Sequence, residues 1–222
     1  MAKIEENLLN IQKQIVNAKQ RANTDQTVNI IAVTKEVDTA RTKEAIEAGL
    51  TNLGENRPEG LMNKLQSINS NVSWHYIGSL QTRKVKQVIN DIDYLHSLDR
   101  LSLAEEIEKR ATKAVKCFIQ VNVSGEESKH GLTKQQTLEF VKQLGQFSKI
   151  IVVGLMTMAP FTEDETVIRQ VFKQLKQLQQ EMSQLNIPNV PCTELSMGMS
   201  NDYEIAVEEG ATFVRIGTAL VG

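Results

Sequence analysis

Eight short runs rich in apolar and β-branched residues recur along the chain, at 29–34, 51–55, 72–77, 94–98, 115–123, 150–157, 193–197 and 213–217. Between them, apolar residues fall every three or four positions, the period of a helix buried along one face. A strand followed by a helix, eight times over, restricts the fold to α/β architectures with a parallel sheet. A parallel neighbour is reached only by a crossover, and that crossover is usually a helix. Two segments share the same local pattern, Ala45-Ile46-Glu47-Ala48-Gly49-Leu50-Thr51 and Ala206-Val207-Glu208-Glu209-Gly210-Ala211-Thr212. In each, a helix is predicted to end at a glycine in the left-handed conformation, with a strand starting two or three residues later.

Before the first strand, Ile4, Leu8, Ile11, Ile15 and Ala18 are spaced as one face of an additional helix. After the sixth strand, Val167, Val171, Leu175, Leu178, Met182 and Leu185 form a second stripe, with Gln170, Gln174, Gln177, Gln179 and Gln180 expected to face water. No Gly/Ser-rich linker or low-complexity tract interrupts the 222 residues. The expectation is one domain over 1–222, an α/β (β/α)8 TIM barrel with an extra N-terminal helix. An open doubly wound sheet has the same alternation, but the first strand lacks the Gly-x-Gly-x-x-Gly turn that would favour it.

A formal charge of −2 gives nothing that draws the surface toward nucleic acid or anionic lipid. The basic cluster Arg83-Lys84-Val85-Lys86 reads as a solvated helix face. No apolar stretch approaches the roughly 20 residues needed to span a bilayer, and the first residues lack a signal-peptide core, so a cytoplasmic protein is expected. Cys117 and Cys192 form no Cys-x-x-Cys pair, and His75, His96 and His130 show no ligand spacing, so no metal is expected.

In a barrel, functional groups gather where strands end at the C-terminal face. The first strand runs directly into Lys35, whose amine at such a mouth suits a nucleophile toward an aldehyde. The second ends in Gly54-Glu55-Asn56-Arg57 before Pro58, which suits a first helical turn. His75, within the third strand, reads as a packed, hydrogen-bonded residue, and Met156 and Met158 as packing. Asn122, leaving the fifth strand, is expected to line the mouth. The last two strands lead into Leu195-Ser196-Met197-Gly198-Met199-Ser200-Asn201-Asp202 and Val214-Arg215-Ile216-Gly217-Thr218, at the positions where this fold habitually binds phosphate. Ser200 or Asn201 is expected to cap the next helix, and Gly217 to let backbone approach a ligand. With Lys35, these loops describe a site for a phosphorylated aldehyde.

Taken together, Ala32-Val33-Thr34-Lys35, Gly54-Glu55-Asn56-Arg57, Trp74-His75-Tyr76-Ile77-Gly78 with Leu80-Gln81, and Asn122 followed by Glu127, Lys129 and Gly131 resemble the pyridoxal phosphate homeostasis protein family. Gly154-Leu155-Met156-Thr157-Met158 and the two loops after strands seven and eight complete the resemblance, in order across nearly the whole chain. The family's barrel is similar to the N-terminal domain of alanine racemase. Ser79 stands where many members have histidine, and Arg83 where asparagine is frequent.

The resemblance implies that pyridoxal 5′-phosphate is held as a Schiff base on Lys35, with Asn56 near its ring and Arg215 at its pyridine nitrogen. Ser200, Gly217 and Thr218, with backbone near Met199, would hold its phosphate. The implied role is intracellular homeostasis of the cofactor and its supply to apo-enzymes, by a monomer without catalytic residues of its own. The alternative is an amino-acid racemase of the alanine racemase type. That reaction needs acid and base on opposite faces of the substrate carbon, and alanine racemase draws one of them from an additional β-domain. No stretch beyond the eighth strand of this sequence corresponds to that domain.

Overall fold

The computed structural model describes residues 2–126 and 130–222, apart from the Ala2 side chain. The eight strands are β1 (Asn29–Val33), β2 (Asn52–Glu55), β3 (Ser73–Tyr76), β4 (Tyr94–Leu98), β5 (Val115–Gln120), β6 (Ile150–Met156), β7 (Glu194–Met199) and β8 (Phe213–Ile216). Each pairs in parallel with the next, and β8 returns to β1 with Asn29 opposite Phe213 and Ile31 opposite Arg215, closing the barrel. The expected (β/α)8 barrel is therefore found.

Helix α1 (Ala2–Ala22) precedes the barrel, and α2 (Thr39–Glu47), α3 (Pro58–Leu65), α4 (Val85–Val88, after a 3-10 turn), α5 (Leu101–Arg110), α6 (Lys134–Leu144), α7 (Glu165–Ser183), α8 (Tyr203–Glu208) and α9 (Thr218–Val221) follow the successive strands. The last two are short, and α1 lies against both. Its Ile4, Leu8, Ile11, Ile15 and Ala18 are buried, as their spacing predicts, and Asn7 and Gln26 donate to the backbone oxygens of Leu220 and Val207. The extra helix thus covers the sector that α8 and α9 are too short to cover. Among the described residues no helix is long and apolar enough to cross a membrane.

Strand alternation sorts the core into two layers. Ile31, Phe118, Met156 and Phe213 form an inner cluster, while neighbours such as Ala32, Cys117, Ile119 and Val214 join the larger cluster beneath the helices. The inner layer also holds His75, stacked on Tyr94 at 4.3 Å, and His96, stacked on Phe118 at 4.4 Å. Rings fill an interior that branched aliphatic side chains fill in most barrels of this kind.

Several local expectations shift. β5 ends at Gln120 rather than 123, and Val121 makes only an isolated bridge to Leu132, because the 122–126 backbone turns around the Asn122 side chain. β7 runs two residues further than expected, so Met199 belongs to the strand. Asp202, not Ser200 or Asn201, precedes α8 as its N-cap, and its carboxylate accepts from the Met199 N–H at 2.6 Å. On α7, Ile168 and Phe172 join the buried face while Val167 is exposed, and Leu185, also exposed, lies beyond the helix end. Gln179 is buried because its amide donates to the Cys192 carbonyl oxygen at 2.5 Å. Both repeated glycines do take the left-handed conformation, Gly49 at φ +96° and Gly210 at φ +100°.

Candidate functional site

A cavity of about 930 Å³ opens at the C-terminal ends of the strands. Lys35, Asn56, Met199, Ser200, Arg215, Gly217 and Thr218 all line it, so chain ends from β1, β2, β7 and β8 converge on one space. Glu127 and Lys129 lie outside the described residues. Asn122 does not line the cavity; its side chain organises the turn after β5, accepting from Ser124 and Gly125. Among the described residues no group of three His, Cys, Asp or Glu side chains is placed to hold a metal ion.

Lys35 sits in the turn after β1, exposed, and is the one amine among the described residues lining the cavity. Behind it lies a buried ion pair. Lys64 Nζ reaches Glu55 Oε1 at 2.6 Å and the Thr34 carbonyl oxygen at 2.5 Å, and the Thr34 hydroxyl donates to the same Glu55 oxygen at 2.5 Å. Lys64 is 4% exposed and Glu55 1%, so the pair is satisfied only by these contacts. It pins both the carbonyl and the hydroxyl of the residue that precedes Lys35. At the neighbouring strand ends, a Cβ on Gly78 would lie 2.3 Å from the Asn56 carbonyl oxygen, so glycine is what lets these two loops approach.

The ends of β7 and β8 present hydroxyls and free amides. Gly198 turns at φ +91°, and a Cβ there would meet the Ala206 Cβ at 2.6 Å, which brings α8 tightly under the loop. The Gly217 N–H lies 3.4 Å from Ser200 Oγ. Among the described residues no acceptor is found for the N–H groups of Ser200, Thr218 and Ala219. The Met199 N–H, by contrast, is committed to Asp202. Burial pushes the Asp202 carboxyl above its usual range, opposed by that N–H and by the nearby Arg215 cation. A Cβ on Gly217 would make only ordinary contact with Val33, leaving open space in front of this backbone.

Arg215 is 5% exposed and forms no ion pair among the described residues. Its Nη1 donates to Ser196 Oγ at 2.6 Å and its Nη2 to the Thr157 carbonyl oxygen at 2.9 Å. Burial lowers its pKa to about 10, partly offset by Asp202, so it stays cationic near neutrality. Below it, His96 Nδ1 lies 2.9 Å from Ser196 Oγ, and His75 Nδ1 lies 2.9 Å from His96 Nε2. Burial, reinforced by Lys116, lowers His75 to about 3; burial, reinforced by His75 and Arg215, holds His96 well below its usual value. His75 is thus a packed, hydrogen-bonded residue as expected. Sequence reading missed His96, Ser196 and Thr157 as supports of Arg215, although the alternation in Tyr94-Leu95-His96 already places His96 on the face of Tyr94.

Met156, the last residue of β6, is buried at the cavity wall, and Met158 beyond it lines the cavity at 41% exposure, beside Phe161 at 97%. Both thiols are buried: burial pushes Cys117 up, and Cys192 up to about 12, leaving them protonated.

Among the described residues the arrangement offers one exposed amine, a buried cation and a loop pair with hydroxyls and unpaired amides. Residues 7–222 match the family described as Alanine racemase, N-terminal domain. The chain is 38% identical to a pyridoxal phosphate homeostasis protein of Aquifex aeolicus, over 98% of this chain and 96% of that one. It is 34% identical to the protein of the same name from Pasteurella multocida, over 99% and 97%. The structure of PipY from Synechococcus elongatus with PLP bound superposes with a TM-score of 0.87 at 31% identity, covering 99% of this chain and all of that one, 100%.

Proposed function

Because the chain belongs to the pyridoxal phosphate homeostasis protein family, built on the barrel of the alanine racemase N-terminal domain, we propose that it binds pyridoxal 5′-phosphate in this cavity and buffers its supply. The observation that carries the reading is Lys35, the one amine among the described residues on the wall of a cavity that also holds an anion-ready loop pair and a buried guanidinium. When bound, the cofactor supplies an electrophilic aldehyde on an electron-withdrawing ring.

Lys35 Nζ is the group that would hold the cofactor through its aldehyde, as a Schiff base whose formation releases water and whose hydrolysis would free it again. The phosphate would fit the hydroxyls of Ser200 and Thr218 and the amides of Ser200, Thr218 and Ala219, for which no acceptor is found among the described residues. Gly217 leaves the space beside them open, while Met199 contributes its side chain rather than its N–H. Asn56 would border the ring, and Arg215 would donate to the pyridine nitrogen. A permanent donor there disfavours protonating that nitrogen and weakens the ring as an electron sink, which suits storage and release to apo-enzymes better than carbanion chemistry.

The test is an absorption spectrum of the purified protein, before and after borohydride reduction, with peptide mapping. A reduced adduct on Lys35, lost in Lys35→Ala, is expected, together with no interconversion of amino-acid enantiomers. A protein that takes up no added pyridoxal phosphate would overturn the site; turnover of an enantiomer would replace the carrier role with a racemase.

A further inference from the structure

Beneath the cavity floor, side chains from five strands form a hydrogen-bonded chain through the barrel. Arg215 on β8 meets Ser196 on β7 at 2.6 Å, Ser196 meets His96 on β4 at 2.9 Å, and His96 meets His75 on β3 at 2.9 Å. His75 Nε2 then meets Asn52 Oδ1 on β2 at 3.0 Å. The four members from Arg215 to His75 are at most 5% exposed.

The direction of this chain follows from its end members. A guanidinium has only donors, so Ser196 Oγ accepts from Arg215. The hydroxyl proton then needs an acceptor, and His96 Nδ1 supplies it. A neutral His96 therefore carries its proton on Nε2, which donates to His75 Nδ1, and His75 in turn donates from Nε2 to the amide oxygen of Asn52. The reverse order fails at Ser196, which would accept from both neighbours and leave its own proton without a partner, and at Asn52, whose amide would have to flip. In the forward order every link has a donor and an acceptor, and each dipole polarises the next.

Two of the five Arg215 N–H groups are held, one by Ser196 and one by Thr157, and no carboxylate fixes the rest among the described residues. The orientation of this buried cation therefore depends on where the Ser196 hydroxyl points, and His96 decides that. We infer that His96 and His75 are positioning residues that lock Ser196 as an acceptor and so hold Arg215 as a fixed donor toward the ring nitrogen of the cofactor. This rests on the reading of the cavity given above.

The first arm of the test uses the full chain without cofactor. Nitrogen-15 spectra of the imidazoles near pH 7 should show two rings as neutral Nε2–H tautomers, with the signals of the exposed His130 assigned by their loss in His130→Gln. Either buried ring as the Nδ1–H tautomer or as imidazolium overturns the inference. The second arm titrates pyridoxal phosphate and records the bound absorption band. Ser196→Ala and His96→Leu should each weaken affinity about tenfold and displace the band, as for one lost hydrogen bond to a charged group. The double variant should be no worse than either single one, since both break the same link. His96→Asn, whose amide oxygen can replace Nδ1, should recover most of the loss. Additive losses, or an unchanged band in Ser196→Ala, overturn the inference. A wild-type protein that shows both tautomers yet binds no cofactor sinks the function proposed above instead.

Discussion

His75 and His96 are rings taken out of water without a carboxylate to compensate a charge, and this couples stability to pH. Both rings are neutral in the fold, His75 with a value near 3 and His96 also well depressed, whereas the unfolded chain titrates them near 6.5. Below that pH the unfolded state binds protons that the folded state refuses. Stability is therefore fully present above about 6.5 and is lost as pH falls toward about 3, approaching about 1.4 kcal/mol per pH unit for each ring. Urea midpoints at pH 7 and pH 5 should separate more in the wild type than in His75→Gln; equal separations would contradict a buried neutral ring. The Lys64–Glu55 pair makes a second residue-scale prediction. Glu55→Ala strands a buried ammonium and should cost about 3–5 kcal/mol in a denaturant titration. Lys35 was legible from its place at the end of an apolar strand. The partners beneath Arg215 were not, because they come from strands up to 163 positions away from it and meet only when the barrel closes.

At the scale of elements, periodicity located all eight strands and the buried stripe of α1, because both are set by which residues face the core. Termini were less legible, since they depend on single polar side chains choosing among partners. Asp202 is the example: its carboxylate ties the Met199 N–H, so β7 runs to Met199 and the expected cap passes to a different residue. Gln179 shows the same limit, its polar type pointing to water while the Cys192 carbonyl oxygen draws it inward. The turn between β7 and α8 is the most constrained of these junctions. Gly198→Ala forces a side chain onto a left-handed backbone and against Ala206, which should cost about 2 kcal/mol or more. Because Ser200 follows two residues later, affinity for pyridoxal phosphate should fall with it. A thermal melt and a cofactor titration on the same variant check both, and wild-type behaviour in either would show that the turn tolerates a side chain.

For the whole molecule, a ligand that binds only the closed barrel raises its stability by mass action. Free pyridoxal phosphate at about 100 times its Kd should add about 2.7 kcal/mol, a rise in Tm of roughly 5–10 °C for a chain of this size. Lys35→Ala should lose most of that rise, and an unchanged wild-type Tm would argue against the cavity as the binding place. The burial of the two thiols gains a meaning at this scale. An aldehyde reacts with any accessible amine or thiolate, so a vessel for one must be inert toward its own contents. Here Cys117 and Cys192 are enclosed as protonated thiols, Lys64 is consumed by Glu55 and Thr34, and among the described residues the cavity wall offers Lys35 as its one amine. Such a wall would keep its cargo recoverable, because the bond that Lys35 would make to it is one that water can undo.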